Sequence, residues 1–347
     1  GLIVAGAGAL FLAEYFGSTK ATYNYAAWQQ TYYIMASLML IGVVTTLLIK
    51  EPTATREQHE RPMSDYFQLF LLFLISVIAL IASFIVIGHV LPETESKFLG
   101  FVYESIKFIG AVAIAIGTAL ALLKAKIIKK QVAVDMWVAP IQDFFIRYGK
   151  KAVWLILLIG LYRISDIVAG TTSNLFYVNL GFSKTDIALA VKTFGMGMSI
   201  VGGILGGLLA ERFKIMNAML IGAILASASN LLFVVLAGKG HDFFYMYSAV
   251  MFDNLASGLA SAIFVAFLSV LTNIRFSMVQ YALLSSLMTL TPKILGGYSG
   301  AMVETMGYPD FFTFTALIGI PVLLLIYMVD KHVMSQDATR GDNITHE

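Results

Sequence analysis

The sequence has no cysteine among its 347 residues. Disulfides, thiolate metal sites and cysteine nucleophiles are excluded at once. Charge is scarce too: Asp, Glu, Lys and Arg make up 13% of the chain, against about 25% in a soluble domain. The formal net charge is +2, too little to attract nucleic acid, and no nucleic-acid partner is expected. The five histidines (His59, His89, His241, His332 and His346) fall in loops, at the ends of apolar runs or in the tail. No two have metal-ligand spacing on one helix, so neither a metal nor another cofactor is expected. The apolar runs hold no Ser–His–Asp, His-rich or paired acidic constellation, which argues against an intramembrane enzyme. The sequence contains no soluble domain to report binding, which argues against a sensor.

Hydrocarbon is abundant: 59% of the residues are apolar. Runs long enough to cross a bilayer, about 20 residues each, occur near 1–16, 27–49, 66–91, 98–124, 152–178, 185–209, 215–237, 243–271, 277–303 and 309–329. The expected fold class is therefore all-α, a polytopic membrane helical bundle. The chain opens inside such a run, "GLIVAGAGALFLAEYFG", without the basic start and cleavage site of a secretory signal. It reads as a piece of a longer protein, lacking the first helices.

Loop charge orients the bundle. Segments 50–65, 124–151, 211–214, 272–276 and 330–347 carry fifteen Lys and Arg residues, whereas the alternate loops carry only Lys20, Lys97, Lys184 and Lys239. By the positive-inside bias the basic segments and the C-terminus are expected in the cytoplasm. Within "PIQDFFIRYGKK" (140–151), Ile141, Phe144, Phe145 and Tyr148 share a helical face opposite Gln142, Asp143 and Arg147. That pattern predicts an amphipathic helix on the inner membrane surface, with lipid as its partner; a plain solvated linker is the alternative.

Six spans follow Lys151 and four precede it, which resembles a major-facilitator transporter with an inserted helix pair. The resemblance divides the chain into the end of an N-terminal helical half (1–49, helices five and six), a cytoplasmic linker (50–65) and an inserted transmembrane pair (66–124). A second cytoplasmic linker with the surface helix (125–151), a C-terminal six-helix half (152–330) and a cytoplasmic tail (331–347) complete it.

Charge inside the runs is concentrated. Arg163 and Asp166 stand on the first of the closing six spans, Lys192 on the second, Asp253 on the fourth and Lys293 on the fifth; the third and sixth carry none in their interiors. In the resembled fold, the charged four line the central cavity. Arg163, Asp166, Gly170, Asn174 and Tyr177 form one stripe. Asp253, Ser257, Ala260 and Phe264 form another, and Ala282, Ser286, Thr289, Lys293, Gly296 and Gly300 a third, bent at Pro292. Arg163 and Asp166, three apart, can neutralise each other and need no ligand. Three cations against two anions also suit a carboxylated or phosphorylated solute, with Asn174, Ser257 and Thr289 for its hydroxyls. Glu14 is expected to snorkel and Glu104–Lys107 to be a local pair. The glycines of "FGMGMSIVGGILGGLLAERF" (194–213) predict close helix packing, and its end resembles the cytoplasmic loop motif of major-facilitator proteins, with Glu211 where aspartate is usual.

Longer strings are more specific. "PIQDFFIRYG" (140–149), "LYRISD" (161–166), "NLGFSKTDIALAVKTFG" (179–195), "DNLASGLASAIFVAFLSVLTN" (253–273) and "FSMVQYALLSSL" (276–287) occur in order, with "AAWQQTYYIMA" (26–36) a weaker match. Together they resemble the AmpG-type muropeptide permease family. The resemblance implies a bacterial inner-membrane secondary transporter, not an enzyme, that imports anhydromuropeptides for peptidoglycan recycling at the expense of the proton motive force. Asp253, which has no charged neighbour three or four residues away, is the expected proton carrier, and Arg163–Asp166 a switchable pair. The alternatives are a carrier of another anionic solute, such as a coenzyme A derivative, or a drug exporter.

Overall fold

The computed structural model describes residues 9–18, 24–49, 62–92, 94, 96–125, 129–273 and 276–334. Within these residues the chain is helical throughout, and eight helices are long and apolar enough to cross a membrane. The expected run at 1–16 is described only from Ala9, as the short α1 (Ala9–Tyr15). The side chains of Glu14 and Arg275, the charged segment 50–61 and the tail from 335 onward lie outside the described residues.

Each helix starts and stops for a local reason. The Asn24 side chain accepts from Ala26 N–H at 3.0 Å and opens α2 (Tyr25–Leu48). Pro62 leads into α3 (Met63–Val90), and Ser96 caps α4 (Lys97–Lys124). Asp242 accepts from Phe244 and Tyr245 N–H at the head of α12 (Phe243–Leu271). Gly240, at φ +75°, ends α11 (Ile215–Lys239) with its N–H on the Leu236 carbonyl, a conformation in which a Cβ would be strained.

The structure breaks three runs that read as continuous. The run at 152–178 divides into α7 (Ala152–Leu161) and α8 (Ile164–Asn179), with Arg163 between them at φ −103°, ψ 18°. The run at 185–209 holds α9 (Lys184–Ile187), a π-helical stretch (Ala188–Gly195) and α10 (Met196–Arg212). The run at 277–303 becomes α13 (Ser277–Gly296) and, after a turn at Gly297–Tyr298, α14 (Ser299–Leu317). Pro292, one turn earlier, removes a ladder donor and crowds the preceding carbonyl. Gly307, at φ +78°, then breaks α14, and α15 (Gly319–Val329) completes the last apolar stretch among the described residues.

The core lies among α7, α8, α11, α12, α14 and α15, where Leu155, Ile159, Phe176, Phe233, Phe264, Phe267 and Phe312 are fully buried. The expected glycine packing of α10 is present on one face only. A Cβ on Gly202 or Gly206 would stand 2.1 or 2.4 Å from the carbonyl oxygen of Leu255 or Leu259 on α12, whereas Gly197, Gly203 and Gly207 face open space. Tyr177, expected on the polar stripe with Arg163, instead turns into the core against Phe233. Ala260 and Phe264 do likewise, Phe264 stacking on Tyr162. A ring inside a bundle gains more from packing than from a polar wall.

Between α4 and α7 the chain forms α5 (Lys130–Ala133), a π-helical turn (Val134–Val138) and α6 (Ala139–Tyr148). α6 differs from the face expected of it. Phe144 is buried in the core while Ile141 and Phe145 are exposed, and Asp143 and Arg147 turn inward to the ends of α12 and α13.

Candidate functional site

The break between α7 and α8 places one charge pair at the middle of a long apolar stretch. Arg163 donates through a terminal guanidinium nitrogen to Asp166 Oδ2, three residues on, and to Ser257 Oγ of α12 at 2.7 Å. The Ser257 hydroxyl donates in turn to Asp166 Oδ2 at 3.2 Å, closing a three-membered ring of contacts. The Arg163 and Asp166 side chains are only 16% and 12% exposed. A charge so placed needs its partner, because an isolated ion in hydrocarbon is costly. Asp253 stands one turn before Ser257, half-buried, and lies close enough to feel the charges of both Asp166 and Arg163. The site thus holds one arginine and two carboxylates. Among the described residues Arg163 Nε is buried without a hydrogen-bond partner, so the guanidinium retains donor capacity.

The residues alternating with the pair fix the break from behind. The Tyr162 hydroxyl donates to the Met219 carbonyl of α11 at 3.2 Å, against Gly222, where a Cβ would meet that hydroxyl at 2.6 Å. Ser165 donates to the Thr315 carbonyl of α14 at 2.6 Å and accepts from Asn230 Nδ2 of α11 at 2.9 Å. Asn230 also donates to the Ser165 carbonyl and is fully buried. Tyr162 and Ser165 therefore hold the backbone while Arg163 and Asp166 project to the other side. A broken helix at membrane depth is tolerated where its freed polar groups are met by protein or line a cavity.

Of the residues expected from sequence, Arg163, Asp166, Asp253 and Ser257 are brought together. The others are not. Asn174 and Lys192 are exposed, Lys192 on the π-helical stretch. Thr289 bonds to the carbonyls of Ser285 and Ser286 on its own helix. Lys293 is exposed on the wall of a different cleft, ≈ 590 Å³, between α4 and the α13–α14 turn. Phe101 and Tyr298, with ring centres 5.1 Å apart, form part of that cleft beside Glu104. Glu104 and Lys107 pair at 2.5 Å, as expected. Sequence reasoning missed Tyr162, Ser165, Asn230 and Thr315. A signal existed: an Asn and a Ser inside otherwise apolar runs each need a partner.

No family model matches the chain. Curated relatives do. The chain is 37% identical over 191 residues to the anhydromuropeptide permease of Escherichia coli (strain K12), covering 54% of this chain and 38% of that one. It is 29% identical over 206 residues to "Putative transporter AmpG 4" of Rickettsia conorii, covering 58% and 49%. It is 24% identical over 333 residues to the protein of that name in Rickettsia felis, covering 96% and 62%. The chain thus spans less than two thirds of the length of these relatives. The family resemblance read from its motifs is nevertheless borne out: by sequence this chain is a relative of the AmpG-type permeases.

Proposed function

We propose that the chain is part of a secondary active transporter that carries anhydromuropeptides into the bacterial cytoplasm, coupled to protons. The observation that carries this reading is the ring of Arg163, Asp166 and Ser257 at the α7–α8 break, with Asp253 one turn away. Such substrates bear peptide carboxylates. An arginine already held by one carboxylate can exchange it for a ligand's when the displaced carboxylate takes up a proton, so that no anion is left unpaired. Asp166 then acts as the internal stand-in for the substrate. Ser257, bonded to both partners, holds the carboxylate when the guanidinium turns away. A proton taken by Asp253 or Asp166 lowers the number of anions around Arg163 and makes an incoming carboxylate the better partner, which links proton to solute. Named relatives that are permeases or transporters support this role over an enzymatic one.

Asn174, Thr289, Lys192 and Lys293 are second-rank contacts in this reading, reached by the more distant hydroxyls and carboxylates of a large substrate. The membrane in this reading is the bacterial inner one, as the family resemblance implies, with the C-terminus in the cytoplasm on the strength of the loop charges. Uptake of labelled anhydromuropeptide into vesicles holding the reconstituted protein tests the proposal. Accumulation that collapses with a protonophore is expected; folded, inserted protein without uptake would move the reading to another anionic solute.

A further inference from the structure

Gln280, four residues into α13, is 2% exposed and makes four hydrogen bonds, the full capacity of a primary amide. Its Nε2 donates to the Pro140 carbonyl and to Asp143 Oδ2, both at 2.8 Å. Its Oε1 accepts from Arg147 at 3.0 Å and from the Asn273 N–H at 2.8 Å. Arg147 also donates to Asp143 Oδ2 and to the carbonyl of Leu271, the last residue of α12. Asn273 Nδ2 donates to Asp143 Oδ1. Every polar group of α6 that faces the bundle is therefore taken up by α12, α13 or the loop between them. A fully satisfied buried network has one geometry and is costly to half-break.

The other side of the linker is fastened elsewhere. Lys129 N–H donates to Gln68 Oε1 at 3.1 Å, and its ammonium pairs with the buried Asp65 at 2.8 Å, both on α3. Ala133 packs on Leu72 of the same helix. So residues 129–133 are tied to α3, and residues from 140 onward to the bundle. Between the two lies the π-helical turn Val134–Val138, with Trp137 and Val138 exposed. A π turn carries one residue more than the helix around it and is a recurrent place for a helix to deform.

We propose that Gln280 is the centre of a clamp that makes α6 a rigid part of the α7–α15 bundle, and that the joint between this bundle and the leading helices is the π turn Val134–Val138. In a transporter, the linker helix then travels with the bundle, and relative motion of the leading helices is absorbed in five residues.

The absence of cysteine from these 347 residues lets spin labels be placed among them by single substitutions, in the whole reconstituted protein with any cysteine outside them changed to serine. Labels at the exposed Ile146 and Val270 span the clamp; labels at the exposed Phe67 and Ile146 span the joint. The expected result is one narrow distance distribution across the clamp and a broader one across the joint. Q280E sets a second carboxylate against Asp143 and is expected to broaden the clamp distribution about two-fold. Adding D143N supplies an amide donor in its place and is expected to restore the narrow distribution, which separates loss of the clamp from general misfolding. Equal widths across clamp and joint would overturn the joint. An unchanged clamp distribution in Q280E, or no recovery on adding D143N, would overturn the role of Gln280. No substrate is needed for either readout, so the outcome is independent of what the protein carries.

Discussion

Four of the 28 residues of α3 are buried, whereas α12 buries twelve of its 29, although both are apolar enough to cross a membrane. α2 buries only Ala27 and Thr31. Apolarity does not separate the two regions. What separates them is whether small and polar residues meet a facing helix: α2 and α4 carry as many, yet Gly42 and Gly117 face open space. The closing bundle brings Gly202, Gly206 and Gly258 against facing backbone and joins its helices through Ser165, Asn230 and Gln280. In lipid, an apolar side chain gains little by leaving hydrocarbon for another helix, so close backbone approach and shared hydrogen bonds decide which helices associate. The leading helices display Phe70, Phe73, Ile78, Ile81 and Ile85 outward. The bundle, by contrast, holds a particular shape around a charge pair.

Substitutions can break this contrast. The largest effect is expected from G206L, because even a Cβ there stands 2.4 Å from the Leu259 carbonyl oxygen. It should lose at least about 3 kcal/mol, the upper end for overpacking, and with it the monodisperse peak in detergent. G203A and G207A on the open side of the same helix should stay within about 0.5 kcal/mol in a thermal melt. Next is D166A, which leaves Arg163 without its counter-ion and should cost about 3 kcal/mol. The paired change R163M/D166L should melt closer to the parent than D166A does, since neither member of the pair is left without the other and only Asp253 keeps a charge in the site. S257A removes the hydroxyl that bonds both Arg163 and Asp166, and should cost about 1 kcal/mol with a marked fall in uptake. S286A is its control, because that exposed hydroxyl bonds only to the Ala282 carbonyl of its own helix. The smallest effect is expected on α3: I78A, at a side chain 57% exposed, should shift the melt within about 0.5 kcal/mol.

Much of this was legible in the sequence, for identifiable reasons. Apolar runs punctuated by charge placed α2, α3, α4, α11 and α12 to within a few residues. Arg163 and Asp166 were legible as a pair because three residues is nearly one helical turn. The breaks at Arg163 and at Ala188–Gly195 were not, because the apolar pattern runs through each without a turn signal; the turn at Gly297 had one in Gly296-Gly297 and Ser299-Gly300, which the stripe drawn through Gly296 and Gly300 passed over. Helical-face reasoning assumed straight helices, so it put Tyr177 on the polar stripe and Asp143 and Arg147 opposite the face laid on the membrane. Both placements reverse once tertiary partners are known: Phe233 takes the ring, and Gln280 takes the charges. Asn230, Ser165 and Gln280 were missed because a single amide or hydroxyl in an apolar run leaves its partner on another helix, where no spacing rule reaches.

The central claim is that the ring at the α7–α8 break works on a ligand and does more than hold helices together. Uptake of labelled anhydromuropeptide by vesicles containing R163M/D166L, matched to the parent for folded, inserted protein, tests it most directly. The variant is expected to melt near the parent yet lose at least about 100-fold in uptake, since both the anion receptor and its internal stand-in are gone. Uptake at the parent's rate, with the protonophore effect intact, would show that the pair only neutralises itself and that the transport site lies elsewhere.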